Sequence, residues 1–192
     1  MDPRSAAALR LRPFDPVVDA PALRSWLPDE AAFRLFAGED APWPFTDEDA
    51  MRPGNPAARA WTAVAVAMVP AEVAEGRPPV RDAGAAVAGP PVGHVEIVPD
   101  GDRGVAGDRA VRLARIVLSP EVRGRGWGAR LVEAAVHRAA AEGALRVGLY
   151  VVPGNAAALG AYARAGFVDR GRNPSHPSYV WMERDLRADA PR

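Results

Sequence analysis

Arg115 to Gly128 reads RIVLSPEVRGRGWG. An apolar strand end, IVL, runs into the Ser119-Pro120 turn. A glycine-rich loop follows, and then a helix begins. Glycines at 124, 126 and 128 let the backbone take positive φ and come close to a ligand. The unpaired N–H groups at the start of the next helix point into such a loop. With the helix dipole they make an anion site. Arg123 and Arg125 add positive charge, so a pyrophosphate is the natural guest.

Three ligands use loops of this kind. A nucleoside triphosphate wants Gly-Lys-Ser/Thr, and this chain has no lysine: all 24 of its basic residues are arginine. A dinucleotide fits the bare spacing Gly124-x-Gly126-x-x-Ala129. It fails on context, because the acidic residue expected about 20 residues later is missing. Tyr150 to Pro153 stands there instead, and too little chain follows for a full dinucleotide fold. Coenzyme A is the third ligand.

The chain around the loop reads as strands first, then alternating helices and strands. Strands are expected over Ala8–Pro13, Trp61–Val69, Val92–Val98, Val111–Leu118, Leu145–Val152, Phe167–Arg170 and Ser178–Leu186. Asp19 is placed as the cap of a helix running to Leu27, and Asp29 as the cap of one running to Phe36. Thr46 opens T-D-E-D with Asp49 at the capping-box position. Gly128–Ala141 is amphipathic, with Leu131, Val132, Ala135, Val136 and Ala139 on one stripe. Asn155–Ala165 is the last helix. Pro70–Pro91 has no periodicity and reads as a mobile insert, Asp100–Asp108 as a hairpin loop, and 188–192 as a disordered tail. The rest, 8–187, reads as one α/β domain with a mixed sheet and helices packed on it.

Composition narrows the function. Formal net charge is zero, so no bulk field draws the chain to nucleic acid or membrane. Without cysteine there are no disulfides, thiolate nucleophiles or cysteine metal sites. Three scattered histidines argue against a metal centre. No apolar run reaches about 18 residues, and the N-terminus lacks a signal-peptide core. A cytoplasmic protein is expected, and the arginine, alanine and proline bias suggests a GC-rich bacterial source.

A second signature joins the first. Asn155, Ala158, Tyr162, Gly166 and Phe167 stand at fixed offsets of 3, 7, 11 and 12. Together with Arg123-x-x-Gly126-x-Gly128 after Leu118-Ser119-Pro120, they resemble the two signatures of the GNAT superfamily of N-acetyltransferases. The resemblance is firm from Gly93 to Leu186. The GHVEIV strand and the Trp-containing loop lean toward the branch of ribosomal-protein alanine acetyltransferases. The resemblance implies a GNAT fold: a mostly antiparallel twisted sheet of six to seven strands with helices on both faces. It implies acetyl-CoA as acyl donor, an amine acceptor, no metal, direct attack without an acyl-enzyme, and a monomer or homodimer.

The resemblance also implies roles. The strand before the loop splays from its neighbour, and pantetheine pairs there with the backbone of Ile116, Val117 and Leu118. The Leu118 N–H is the donor to the thioester oxygen. Backbone from Arg123 through Gly124, Arg125, Gly126, Trp127 and Gly128 holds the pyrophosphate. Asn155 contacts the coenzyme from the next helix. Tyr162 protonates the leaving thiolate, against the alternative of an ordinary helix tyrosine. For the general base, Glu96 is the candidate, mid-strand beside His94 on the same face. The alternative is a structural ion pair with Arg115. Arg130 and Arg164 are read as reaching the coenzyme's ribose phosphate or as a solvated helix face. A non-catalytic acyl-CoA sensor of the same fold is the competing function.

Overall fold

The computed structural model describes residues 8–39, 41–66, 89–99, 109–173 and 176–187. Its elements are β1 (Ala8–Pro13), α1 (Pro16–Ser25), α2 (Glu30–Ala37), α3 (Asp47–Ala50), β2 (Arg59–Val66), β3 (Pro91–Pro99) and β4 (Ala110–Leu118). A 3₁₀ turn at Pro120–Val122 leads into α4 (Trp127–Ala141), β5 (Arg146–Val151), α5 (Ala156–Arg164), β6 (Val168–Asn173) and β7 (His176–Asp185). The seven strands form one sheet in the order β1-β2-β3-β4-β5-β7-β6. Every pairing is antiparallel except β4 with β5. This is the mixed, mostly antiparallel GNAT-type sheet that the sequence implies, with helices on both faces.

β3 sits centrally and is buried on both sides, which is why its sequence is apolar almost throughout. Val95 and Ile97 point into one core, against the α4 stripe of Leu131, Val132, Ala135, Val136 and Ala139 and against Leu113, Val147 and Leu149. A second core lies on the opposite face. Leu23, Trp26 and Leu27 close over it with Phe33, Phe36 and Phe45.

The start of α1 differs from the sequence reading. Asp15, not Asp19, is the N-cap, accepting hydrogen bonds from the N–H groups of Val17 and Val18. Asp19 lies one turn inside the helix, where it faces the sheet and is 2% exposed. Arg12 of β1 grips it through two hydrogen bonds of 2.6 Å. The Thr62 hydroxyl donates to it at 2.7 Å and the Asp15 N–H at 2.9 Å. Burial alone would raise the Asp19 pKa. The hydrogen bonds from Arg12, Asp15 and Thr62 and the Arg12 charge outweigh burial and hold it below the ordinary value. A carboxyl whose folded pKa is depressed stabilises the fold above its unfolded pKa of about 3.9. That contribution disappears as pH falls through the folded value. Asp19→Ala leaves the half-buried Arg12, the Thr62 hydroxyl and the Asp15 N–H without their acceptor, so urea unfolding is expected to show a loss of about 1–3 kcal/mol. The remaining stability of the variant should fall less steeply in acid than that of the parent.

The Thr46–Asp49 capping box is formed, with aspartate doing the work usual for glutamate. Pro91, read as the end of the insert, is the first residue of β3 and pairs with Val64. Residues 67–88, which hold the end of the expected Trp61–Val69 strand and most of the Pro70–Pro91 insert, the hairpin loop 100–108 and the tail 188–192 lie outside the described residues. The final hairpin is longer at both strands than the sequence suggests. A register shift between Asp169 and Arg172, with Gly171 at φ 83°, lets the ladder continue through what reads as a loop. His176 therefore opens β7 rather than lying in a turn.

Candidate active site

β4 and β5 run parallel but pair only from Ala110↔Arg146 to Leu113↔Leu149. Beyond that point Tyr150 and Val151 pair with β7 alone, and the two strands part. The cause is visible on β4. Arg115 adopts the left-handed conformation, φ 47°, at a bulge where the β3–β4 register shifts. The extra residue turns Arg115 toward Glu96 and the Phe36 ring, onto the α1–α2 face. Ile116 and Leu118 pack into the α4–α5 face and Val117 into the opposite core.

The ladder fixes which backbone groups face the split. The Ser119 N–H bonds to the Val92 carbonyl of β3 at 2.9 Å. Main-chain groups alternate along an antiparallel strand, so the N–H groups of Leu118 and Ile116 aim away from β3, into the split. Val117 pairs with His94, and its backbone is spent on the sheet. Of the three residues assigned to pantetheine, Ile116 and Leu118 thus turn their N–H groups to the split, and Val117 turns its own to β3.

Past the split the chain turns through Ser119, whose hydroxyl accepts from the Glu121 N–H, into the glycine loop. Gly124 and Gly126 have φ of 74° and 79°. Gly126 is the N-cap of α4 and provides no side-chain cap, so the first N–H groups of the helix stay open. Apart from its chain neighbours, an added Cβ at either glycine would meet no atom of the described residues within 4 Å. Gly128 is a different case. Its φ is not positive, and a Cβ there would sit 3.4 Å from the Ala161 Cβ, so its role is the close approach of α4 to α5. Arg123 does not point its guanidinium outward: Nε donates to the Leu118 carbonyl at 3.1 Å and Nη2 to the Trp26 carbonyl at 3.2 Å. Arg125 is exposed. Trp127 is buried in the core beneath the loop, which leaves only its backbone at the anion position. Arg130 lies over the Trp127 ring and, with Arg164, lines an open groove of about 810 Å³.

Asn155 caps α5, its side-chain oxygen accepting from the Ala158 N–H at 3.1 Å. Tyr162 is buried in the α4-side core, and that burial pushes its phenol up to about 12. Glu96 is 2% exposed and firmly held. It accepts from the Gly54 N–H at 2.9 Å and stands 3.8 Å from the Arg115 guanidinium and 3.9 Å from His94 Nε2. On β4 its neighbour is Ala114, beside the point where the split opens. His94 is buried against Phe14 and Phe36, and neither ring nitrogen has a hydrogen-bond partner among the described residues.

A sequence model described as the acetyltransferase (GNAT) family matches residues 31–167. The chain belongs to the GNAT acetyltransferase family. Solved structures share the fold along nearly the whole GNAT chain. The aminoglycoside acetyltransferase AAC(6')-Ib, solved with ribostamycin and coenzyme A, is 21% identical with a TM-score of 0.68, covering 95% of this chain and 96% of that one. Spermidine N-acetyltransferase from Vibrio cholerae, solved with CoA and spermine, is 16% identical with a TM-score of 0.62, covering 92% and 95%. A GCN5-related N-acetyltransferase from Kribbella flavida is 23% identical with a TM-score of 0.60, covering 93% and 98%.

The sequence reading passed over a cluster on the far side of the split. Arg112, Tyr150, Tyr179 and Trp181 share the sheet face opposite α4 and α5. Each alternates with a residue of the α4-side core: Leu113, Leu149, Val180 and Met182. Period-two alternation in β5 and β7 was the available signal. Among the described residues no group of three or more histidine, aspartate or glutamate side chains is placed to hold a metal, and no helix is long and apolar enough to cross a membrane.

Proposed function

We propose that this GNAT member transfers an acetyl group from acetyl-CoA to a primary amine by direct attack in a ternary complex. One observation carries the reading: the β4–β5 ladder stops at Leu113 and Leu149, and the open-ended glycine loop lies at the end of the strand that leaves it. An extended amide-bearing chain fits that split as an added strand. The loop and α4 bear on one sheet face, so the acyl carbon of a thioester in the split is open to attack from the other.

In this reading the N–H groups at the start of α4 hold the pyrophosphate. The amide nitrogen of Asn155 is left over from capping and contacts the coenzyme. Ile116 and Leu118 supply the strand-like backbone pairing, and the Ile116 N–H, nearer the fork than that of Leu118, donates to the thioester oxygen as negative charge grows on it. The acceptor nitrogen bonds to the acyl carbon as the carbon–sulfur bond breaks. Tyr162 gives its phenolic proton to the departing sulfur. Glu96 takes the amine proton through water. The GHVEIV strand and the loop around Trp43 support a likeness in sequence to the branch of ribosomal-protein alanine acetyltransferases, and that likeness does not assign the acceptor.

Glu96→Gln keeps the acceptor for the Gly54 N–H, so the fold should survive. Transfer at neutral pH is expected to fall about 100-fold, and less at high pH, where free amine is abundant. Equal pH profiles for variant and parent would leave Glu96 a purely structural partner of Arg115. The reading as a whole is tested by calorimetric titration with acetyl-CoA, NADH serving as control, followed by an amine panel. Saturable acetyl-CoA binding with turnover supports it. Binding without turnover on any amine would favour the sensor instead.

A further inference from the structure

The face of the sheet onto which the thioester would open carries an arginine and an aromatic floor. Gly148 of β5 pairs with Arg112 of β4 on one side and Glu183 of β7 on the other. A Cβ at Gly148 would lie 2.0 Å from the Trp181 ring, so the indole lies flat across β5. Tyr150 packs against that indole at 4.8 Å, and the Arg112 guanidinium sits 5.7 Å over the Tyr150 ring. Tyr179 extends the floor at 6.2 Å from Tyr150. Its hydroxyl accepts from the Glu39 N–H at 2.9 Å, which brings the end of α2 over as a wall. Arg112, Tyr150, Tyr179 and Trp181 are all partly exposed.

The charges around this floor have one sign to spare. Arg115 is answered by the buried Glu96, and Asp49 of α3 also lies in its field. Glu183, in the same cross-strand row as Arg112, stands 3.8 Å from Arg170. Among the described residues Arg112 has no carboxylate within ion-pair distance. A polyamine or aminoglycoside would bring further positive charge to a face that already presents an arginine without a carboxylate partner among the described residues. A carboxylate meets that guanidinium with charge-assisted, fork-like hydrogen bonds. The rings offer flat apolar surface to the rest of the molecule.

From this juxtaposition we infer that the acceptor is a small amino carboxylate, an amine that also carries a carboxylate and an apolar or aromatic side group, with Arg112 as its specificity-determining residue. The inference rests on the acetyltransferase reading. The chemistry is that already given: the carbon–nitrogen bond forms, the carbon–sulfur bond breaks, and free CoA thiol leaves.

The test measures kcat/KM on the full chain with acetyl-CoA. The acceptors are phenylalanine, tryptophan and lysine, the amide of each, spermidine and kanamycin. The free acids should be preferred to their amides at least about tenfold, since a hydrogen bond to a charged group is worth about 1.5–3 kcal/mol. Arg112→Gln should collapse that acid-to-amide ratio toward one, mainly through KM. Arg112→Glu should invert it. Preference for spermidine or kanamycin, or an acid-to-amide ratio that Arg112→Gln leaves intact, overturns the inference while the acetyltransferase reading stands. Failure to bind acetyl-CoA at all would overturn both.

Discussion

Gly126→Glu is expected to reduce acetyl-CoA affinity at least 100-fold while the protein stays folded. Gly126 is the N-cap of α4 at φ 79°, a conformation that costs a residue with a Cβ about 1–2 kcal/mol. Apart from chain neighbours, no atom of the described residues lies within 4 Å of where that Cβ would be, so there is strain but no clash. The new carboxylate sits at the positive end of α4, where an acidic group is favoured, and this offsets part of the strain. The same placement blocks function, because the side chain becomes a resident anion where the pyrophosphate would bind. Gly126→Ala carries the strain without the charge and separates the two effects. Calorimetric titration of both variants with acetyl-CoA reads the difference. If Gly126→Glu binds within tenfold of the parent, the coenzyme does not use this loop.

Tyr162→Phe is expected to lower the rate of transfer about 10²–10⁴-fold, the range a positioned general acid supplies. The acetyl-CoA dissociation constant should move only a few-fold. Burial pushes the phenol up to about 12 and keeps it protonated throughout the working range of the enzyme. A donor of that kind contributes no alkaline limb to the pH–rate profile below about pH 10. Phenylalanine fills the same core volume next to Phe167, so the melting temperature should change little. A variant with unimpaired turnover would reduce Tyr162 to a packed helix residue.

Much of the fold was legible because a few local rules decide it. The α4 stripe, the Asp29 and Thr46 caps and the strand-loop-helix passage at Arg115–Gly128 depend on neighbours in sequence. The differences fall where a distant partner overrides a local preference. Asp19 looks like a cap, but Arg12 and Thr62 draw it into the sheet and leave the capping to Asp15. Arg123 looks like a phosphate ligand, yet two carbonyls claim its side chain. Val117 looks equivalent to Ile116 and Leu118, but the register with His94 turns its backbone the other way. The bulge at Arg115 sets that register, and a non-glycine residue at positive φ leaves no mark in the sequence. The aromatic floor escaped for the same reason, since Tyr150 and Trp181 become neighbours only when β5 and β7 pair.

The Arg123 tether has a consequence for the energetics of ligation. One guanidinium joins the end of β4, through Leu118, to the end of α1, through Trp26, and the glycine loop begins at the residue that carries it. A loop pinned in this way at its entrance, and by the buried Trp127 at its exit, has surrendered most of its conformational freedom during folding. The entropy of arranging those amides is then a cost of making the protein, not of each encounter with the coenzyme. Two glycines that in a free chain would be the most mobile residues present thus form a rigid receptor.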